Sequence, residues 1–468
     1  MKNILLFLIL LLVSSTYSQS RDVTYGTGSG FSGSGQYIYS SVLQTDGKLL
    51  IAGDFDNFNG TSVNNFIRLN QNGTIDTAFK NNLGTGFNYP VGDVAVQNDG
   101  KIIVLIRTSA TNTTFNGNSI RKVIRLNQSG TLDNTFNYYR QNLNFNSQKI
   151  AIQQDGKILV GDYNGLVRAN NDGSLDNSFT QGSITSTAGT EIIKTIKIDE
   201  NDKILVAGTF VTYNGQPIKK LIRLNTDGSI DNTFNIGNGF ESSLSYLGIN
   251  SLEVQNDNKI VLGGEITEYN ATMIPKVVRL NSDGSIDNTF NFSETNFDKE
   301  LNIIKLQSNG SLVVTGRENT TGNGYISVAR LNSNGQNDNS LNISNGFFGY
   351  ECHSLQIQPD GKFIFLGDFY NYGSTTVNRI VRITNPVLST EDFALDNIEI
   401  YPNPSKNIIN LKSITDYNYE IYDISGKTLI KERNNNNNKI NIESLKNGIY
   451  FLRIFKDKQV IIKKIIKK

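Results

Sequence analysis

The sequence predicts an all-β protein: a seven-bladed β-propeller of four-stranded antiparallel blades, closed by its N-terminal strand and followed by a small immunoglobulin-like β-sandwich. Three observations carry this. One pattern returns seven times: an apolar pair ending in Gln or Asp, a turn near Asp-Gly-Lys, an Ile/Leu/Val run, Arg-Leu-Asn, a second Asp/Asn-Gly turn, then Asp-x-x-Phe. Its lysine position falls at Lys48, Lys101, Lys157, Lys203, Lys259, Ser311 and Lys362, a period of roughly 52 residues that suits one blade per repeat. From Asn397 onward the repeat gives way to short apolar or alternating runs broken by Pro, Gly and Asn turns.

The first 18 residues read as a secretory signal peptide. Lys2 precedes an apolar run from Ile4 to Val13, small residues follow, and cleavage is expected between Ser18 and Gln19. The run is too short to span a bilayer, and no other stretch approaches the length required, so no transmembrane segment is expected in the mature protein. The 468 residues carry a net charge of +1, which argues against nucleic acid as a partner. Cys352 is the one cysteine, so no internal disulfide can form and stability rests on packing.

The propeller is expected over residues 19–385. In the copy around Lys203, Thr195–Ile198 alternates apolar and polar as a half-buried strand does, and Ile204–Gly208 is a continuous apolar run suited to a strand covered on both faces. A loop around Tyr213–Gly215 leads to a third strand, Leu221–Asn225. Asp227-Gly228 turns the chain into a fourth, Ile230–Phe234. Nothing in the repeats reads as helix. An arginine precedes an aspartate by eight residues in Arg68/Asp76, Arg125/Asp133, Arg168/Asp176, Arg223/Asp231, Arg279/Asp287 and Arg330/Asp338. A three-residue turn with Gly228 in the left-handed region sets Leu224 opposite Ile230 and Arg223 opposite Asp231, so the charged pair shares one face. The seventh copy stops at Arg382-Ile383-Thr384 without its last strand. Asp22–Phe31 matches Asp231–Phe240 in register, so Asp22–Tyr25 is expected to be the outer strand of the last blade, with Asp22 opposite Arg382. An open ring would leave strand edges exposed. The whole pattern resembles the delta-60 repeat family of β-propellers over Asp22 to about Thr384, a resemblance that implies fold and no particular activity.

Residues 386–396 read as a linker and 397–468 as the sandwich. Tyr401-Pro402-Asn403-Pro404, then Asp423, Gly426 and Lys427, then Leu445, Gly448 and Tyr450 resemble the type A sorting domain of the type IX secretion system. The resemblance implies export across the inner membrane by the signal peptide. It further implies outer-membrane passage by the type IX machinery, removal of the domain, and release or attachment at the cell surface. Lys439–Lys468 holds nine Lys/Arg against two acids, and its tail, Lys463–Lys468, reads as a terminal strand with exposed lysines rather than a membrane-binding segment.

Chemistry is sparse. One His and one Cys exclude the usual His/Cys zinc sites. Cys352 and His353 are strand neighbours expected to point to opposite faces, not to form a dyad. The Asp/Asn/Gly turns, Asp227 and Asp283 among them, offer oxygen ligands that would suit calcium, but they are also standard hairpin residues, so no cofactor is expected. Glu265, Glu268 and Glu318 break the repeat and are candidate carboxylates. Phe55, Phe58, Tyr213, Tyr269, Phe369, Tyr370 and Tyr372 occupy one equivalent loop, either as a contact surface or as plugs onto the neighbouring blade. Asp76-Thr77-Ala78 matches a short O-glycosylation pattern but falls on an expected repeat strand. The expectation is a secreted or cell-surface, non-enzymatic module that binds an extracellular protein or glycan. A polysaccharide hydrolase or lyase, and a structural surface-layer component, are the alternatives.

Deleting residues 397–468 should leave the propeller folded but trapped in the periplasm, as read by fractionation and immunoblotting. Normal secretion of the truncated chain would contradict the sorting assignment.

Overall fold

A computed structural model describes residues 20–468 except 27, 34, 141–148, 163–164, 187–192, 245–246, 293–296, 298–299, 318–324, 342, 344–345, 385–398, 413–416, 424–427, 436 and 457–458. The expected signal peptide with Ser18 and Gln19, the expected linker, and Gly426, Lys427 and Glu318 lie outside these residues. The chain divides into two compact units between residues 385 and 386.

In the first unit the apolar periods of the repeats set the strands. In the fourth blade Ile193–Ile198 pairs with Ile204–Gly208, which pairs with Leu221–Leu224, all antiparallel. Every residue of Ile204–Gly208 is buried, as a β-branched run covered on both faces should be. The same three-strand order recurs in the other blades, for example Tyr37–Leu43, Leu49–Asp54 and Phe66–Leu69 in the first. The fourth position is shorter than the sequence suggested. Ile230 bridges Leu224, and the chain then turns instead of continuing as a strand to Phe234. The cause is local. Asp231 accepts hydrogen bonds from the amide and hydroxyl of Thr233 at 3.0 and 2.6 Å, an Asx-type turn that competes with strand pairing. The first blade departs further, with a helix over Thr77–Leu83 that the sequence reading did not anticipate. Here Ala78 supplies no hydroxyl, so Asp76 instead N-caps the helix by accepting from the Phe79 amide.

The loop expected around Tyr213 is a tight hairpin, Thr212–Tyr213 with Gln216–Pro217. It pairs with the segment that follows the third blade's own aspartate, placing Ile184 opposite Tyr213. Equivalent pairs are Phe31 with Phe58, Phe87 with Phe115 and Phe240 with Tyr269. These aromatics are plugs: Phe55, Phe58, Tyr213, Tyr269, Phe369 and Tyr372 are buried, and Tyr370 alone of the seven is exposed.

The first strands of the blades pack side by side in cyclic order, and Phe347–Ile357 of the seventh packs against Tyr37–Leu43 of the first. Each blade remains an open sheet, and the ring is completed by contacts between the seventh and first blades. Ser41 and Ser354 hydroxyls meet at 2.7 Å, and the Gln356 amide donates to the Ser41 carbonyl at 2.8 Å. At the rim Arg21 bridges Ile383, the Asp22 amide donates to the Arg382 carbonyl at 2.8 Å, and Arg382 pairs with the Asp22 carboxylate at 2.8 Å. The strand expected over Asp22–Tyr25 is reduced to this one bridge at Arg21: past Asp22 the chain turns, as it does after Asp231.

The repeated polar residues form one lock per blade. Arg223 Nε lies 2.7 Å and Lys203 Nζ 2.6 Å from the Asp231 carboxylate, and the Arg223 guanidinium covers the Phe234 ring at 4.5 Å. Arg223 Nη1 then crosses to the next blade and donates to the Ser282 carbonyl at 2.7 Å. Arg68 reaches Gln128, and Arg279 reaches Ser333, in the same way. Arg125 and Arg168 reach Asn171 and Thr226. In the seventh blade Arg382 donates to the Gln71 carbonyl of the first at 2.7 Å, and Tyr25 takes the phenylalanine's place under its guanidinium at 4.2 Å. The sixth lock is the weakest. Ser311 replaces the lysine, Leu341 the aromatic, and Asp338 is the most exposed aspartate of the set, although Arg330 still lies 2.7 Å from it. Gly228 is required by its turn: its φ is +84°, and a Cβ there would stand 2.4 Å from the Thr180 carbonyl oxygen.

The second unit is a two-sheet sandwich. Glu399–Tyr401, Ile408–Lys412 and Lys439–Asn441 form one sheet; Thr428–Asn435, Tyr417–Tyr422, Gly448–Lys456 and Gln459–Lys467 form the other. Ile409, Leu411, Tyr419, Ile421, Leu452 and Ile454 lie in the core between them. Three residues of the expected sorting motifs make contacts that support this unit. Asn403 clamps the terminal strand, donating to the Lys464 carbonyl at 2.8 Å and accepting from the Ile466 amide at 2.9 Å. Tyr450 donates to the Lys446 carbonyl at 2.8 Å, and Leu445 is buried.

Two outcomes follow for stability. Asp22→Ala strands the Arg382 guanidinium and should destabilise the first unit by about 3 kcal/mol in denaturant titration, and deletion of residues 19–26 should cost more. An unchanged midpoint would contradict closure by this pair. Burial opposes ionisation of the lock carboxylates. Hydrogen bonds and charges from Thr or Ser, Lys and Arg outweigh it, holding Asp22, Asp76, Asp133, Asp176, Asp231, Asp287 and Asp338 below the usual range, Asp22 at about 2. Depressed carboxylates stabilise the fold above their unfolded pKa, and that stability is lost as pH falls through the folded value. The locks should therefore make the melting temperature fall steeply from about pH 4 to 2. A melt as high at about pH 2 as at pH 6 would contradict this.

Candidate functional site

With the repeated residues committed to locks, the residues that differ between blades are the ones left for recognition. They converge at one mouth of the propeller axis. The residue beyond the apolar start of the first strand points there in six of the seven blades: Tyr39, Gly92, Lys194, Asn250, Asn302 and His353 line an axial cavity of 280 Å³. Residues at the ends of second strands, Arg107 and Glu265, complete it, together with Lys149, Glu300 and Glu351. Larger clefts of 540 and 750 Å³ lie elsewhere. They are lined by lock residues such as Asp133 with Phe136, and Arg279 with Asp287, so they are seams of the repeat.

The mouth has two walls. On the second to fourth blades, the Arg107 guanidinium stands 4.8 Å over the Tyr39 ring, and Lys194 donates to the Asn250 side chain at 2.8 Å. On the sixth and seventh blades, Asn302 donates to Glu300 at 3.0 Å, and the Glu300 and Glu351 carboxyl groups adjoin each other. His353 Nε2 lies 3.0 Å from Asp368 and its Nδ1 3.4 Å from Glu351, while Arg379 pairs with Asp368 at 3.2 Å. Burial and the neighbouring Glu300 carboxylate push Glu351 up to about 7, against the opposing pull of His353. Burial disfavours the His353 imidazolium, but the bond to Asp368 and the charges of Asp368 and Glu351 outweigh it and raise its pKa above 6.5. Three residues further along the same strands, about 10 Å deeper, Glu253 lies between Lys197 at 3.0 Å and Lys305 at 3.8 Å. Burial lowers the pKa of Lys305 there.

The sequence candidates distribute unevenly. Glu265 reaches the mouth, whereas Glu268 pairs across the outer hairpin with Met273. Cys352 is buried with its thiol toward the Leu366 and Ser354 carbonyls, and burial pushes it up to about 12, so it is a packed thiol beside a differently engaged histidine. Asp227 and Asp283 each accept from the serine two residues on, which is a turn role. Among the described residues no group of three or more His, Cys, Asp or Glu could hold a metal ion. Asp76 of the Asp-Thr-Ala triplet is buried in its lock. Glu300, Glu351, Lys149, Lys194 and Arg107 were missed. Stacking the repeats in columns exposes them. The column after each second strand reads Asp54, Arg107, Asp162, Thr209, Glu265, Arg317 and Asp368, changing charge where its neighbours stay constant.

Fold and mouth together define a propeller with a repeat-built frame and an individual axial cavity, followed by a separate C-terminal sandwich. The chain belongs to the DUF5122 β-propeller family, a domain of unknown function, whose model matches residues 44–79, 97–136, 153–179, 200–234, 255–290, 307–341 and 358–385. Residues 399–468 match the secretion-system C-terminal sorting domain, which marks the chain for type IX export to the surface or medium. No curated protein matches. Among solved structures, the chain is similar to PorZ of Porphyromonas gingivalis, a surface component of the type IX secretion system, at 15% identity and a TM-score of 0.44. That match covers 94% of this chain, and the chain spans 60% of the length of PorZ. A gluconolactonase from Xanthomonas campestris matches at 10% identity and a TM-score of 0.37, covering 78% of this chain and 100% of its own. Among the described residues no helix is long and apolar enough to cross a membrane.

Because His353 is the one histidine, its proton resonances can be followed alone by NMR. Its pKa should lie above 6.5 and fall in Asp368→Asn, where burial is no longer offset. A wild-type value below 6.5, or no change in the variant, would contradict this mouth geometry.

Proposed function

We propose that the protein is a secreted or surface-displayed, non-enzymatic propeller that binds an extracellular protein or glycan at the axial mouth. In this reading residues 1–18 direct export and are cut after Ser18. Residues 19–385 act as the binding unit. Residues 386–396 are a spacer, and residues 397–468 are handled by the type IX machinery. The supporting observation is that the cavity gathers side chains that differ from blade to blade, while the repeated side chains are consumed in locks. A recognition site needs such an individual set.

The hydrolase alternative needs two carboxyl groups about 5 to 9.5 Å apart across a scissile bond. Glu300 and Glu351 adjoin each other on one wall and do not face each other across the cavity. The purified full chain, run over glycan and surface-protein arrays, should give a discrete set of ligands. Asn302→Ala, which alters the mouth and leaves the locks intact, should weaken the strongest by about tenfold. Turnover of a polysaccharide would overturn the non-enzymatic reading, and silence on every array would favour a structural surface-layer role.

A further inference from the structure

The two walls of the mouth ask for different chemistry in one ligand. Lys149 is half-buried and makes no hydrogen bond or ion pair among the described residues. With Arg107 and Lys194 beside the same cavity, that ammonium is suited to an anion. The opposite wall rejects a second anion. Its carboxyl groups already adjoin one another, Glu300 with Glu351, and Asp368 is held by His353 and Arg379. What that wall offers is carboxylate oxygens and the Asn302 amide, all partners for hydroxyl groups. At 280 Å³ the cavity lies at the small end of ligand pockets, with room for a single ring rather than a folded peptide.

Resting on the binding reading above, we propose that the axial mouth takes one carboxylated sugar, its carboxylate on the Lys149–Lys194–Arg107 wall and its hydroxyls on the Glu300–Asn302–Glu351 wall. The mouth should also respond to pH. The charged groups facing Glu351 are Glu300, His353 and Asp368, with Glu265, Arg107, Lys149 and Lys194 around the cavity. As pH rises through about 7, Glu351 gains negative charge. His353 loses positive charge over its own raised range, so both changes disfavour a bound carboxylate.

The test is calorimetric titration of the full chain with D-galacturonate, D-galactose, D-glucosamine and tri-galacturonate at about pH 6 and pH 8. Galacturonate should bind at least about tenfold tighter than galactose, more weakly at the higher pH, and Lys149→Gln should remove the preference at an unchanged melting temperature. Binding of tri-galacturonate as tight as the monomer assigns the source to a polysaccharide end, and binding of the monomer alone assigns it to a free sugar acid; both support the proposal. Equal binding of galactose and galacturonate, tighter binding of glucosamine, or a preference retained in Lys149→Gln would overturn it. A neutral or protein ligand from the arrays that competes at the mouth would overturn this proposal and leave the binding reading standing. Absence of any ligand, sugar acids included, would overturn both.

Discussion

Everything in the first unit depends on a buried arginine that serves two blades at once. Its Nε holds the aspartate of its own blade, its ring-like guanidinium face covers an aromatic, and its Nη1 satisfies a backbone carbonyl in the next blade. A buried charge is tolerable only when paired and hydrogen-bonded, so the arginine enforces both the Asp turn of one blade and the placement of the next. The lysine from the Asp-Gly-Lys turn adds a second, half-exposed cation to the same carboxylate. The motif residues are therefore a mechanical set, and their recurrence in every blade has a structural cause.

That commitment frees the axis. Residues at the ends of the first and second strands take no part in the locks, so they can vary without loosening the ring. The result is a rigid frame holding an individual cavity, with cationic groups on one side and hydrogen-bonded carboxyls on the other. Burial, with the neighbouring Glu300 carboxylate, pushes Glu351 up to about 7. A site of this kind recognises by placement of fixed groups, and its chemistry is set by which blade contributes which charge.

The period, the strand order, the arginine–aspartate spacing and the sorting motifs were legible in the sequence because each follows from a local rule repeated many times. Less was legible where one side chain overrides a pattern. The strand expected over Ile230–Phe234 shrinks to a bridge because Asp231 bonds Thr233, and Ala78 turns the equivalent stretch of the first blade into helix. The aromatics of the hairpins read equally as surface or plug, and only their pairing with the preceding segment, as in Phe31 opposite Phe58, buries them. The mouth was hardest to see. Lys149, Glu300 and Glu351 belong to different blades, and no spacing along the chain reveals that seven distant positions meet on one axis.

The central claim is that the arginine couples neighbouring blades, and hydrogen–deuterium exchange of Arg223→Met tests it most directly. The account predicts lost amide protection in two places: the turn around Asp231, and the neighbouring hairpin around Ser282 whose carbonyl loses its donor. Deprotection confined to residues near Asp231, with the Ser282 hairpin unchanged, would contradict it.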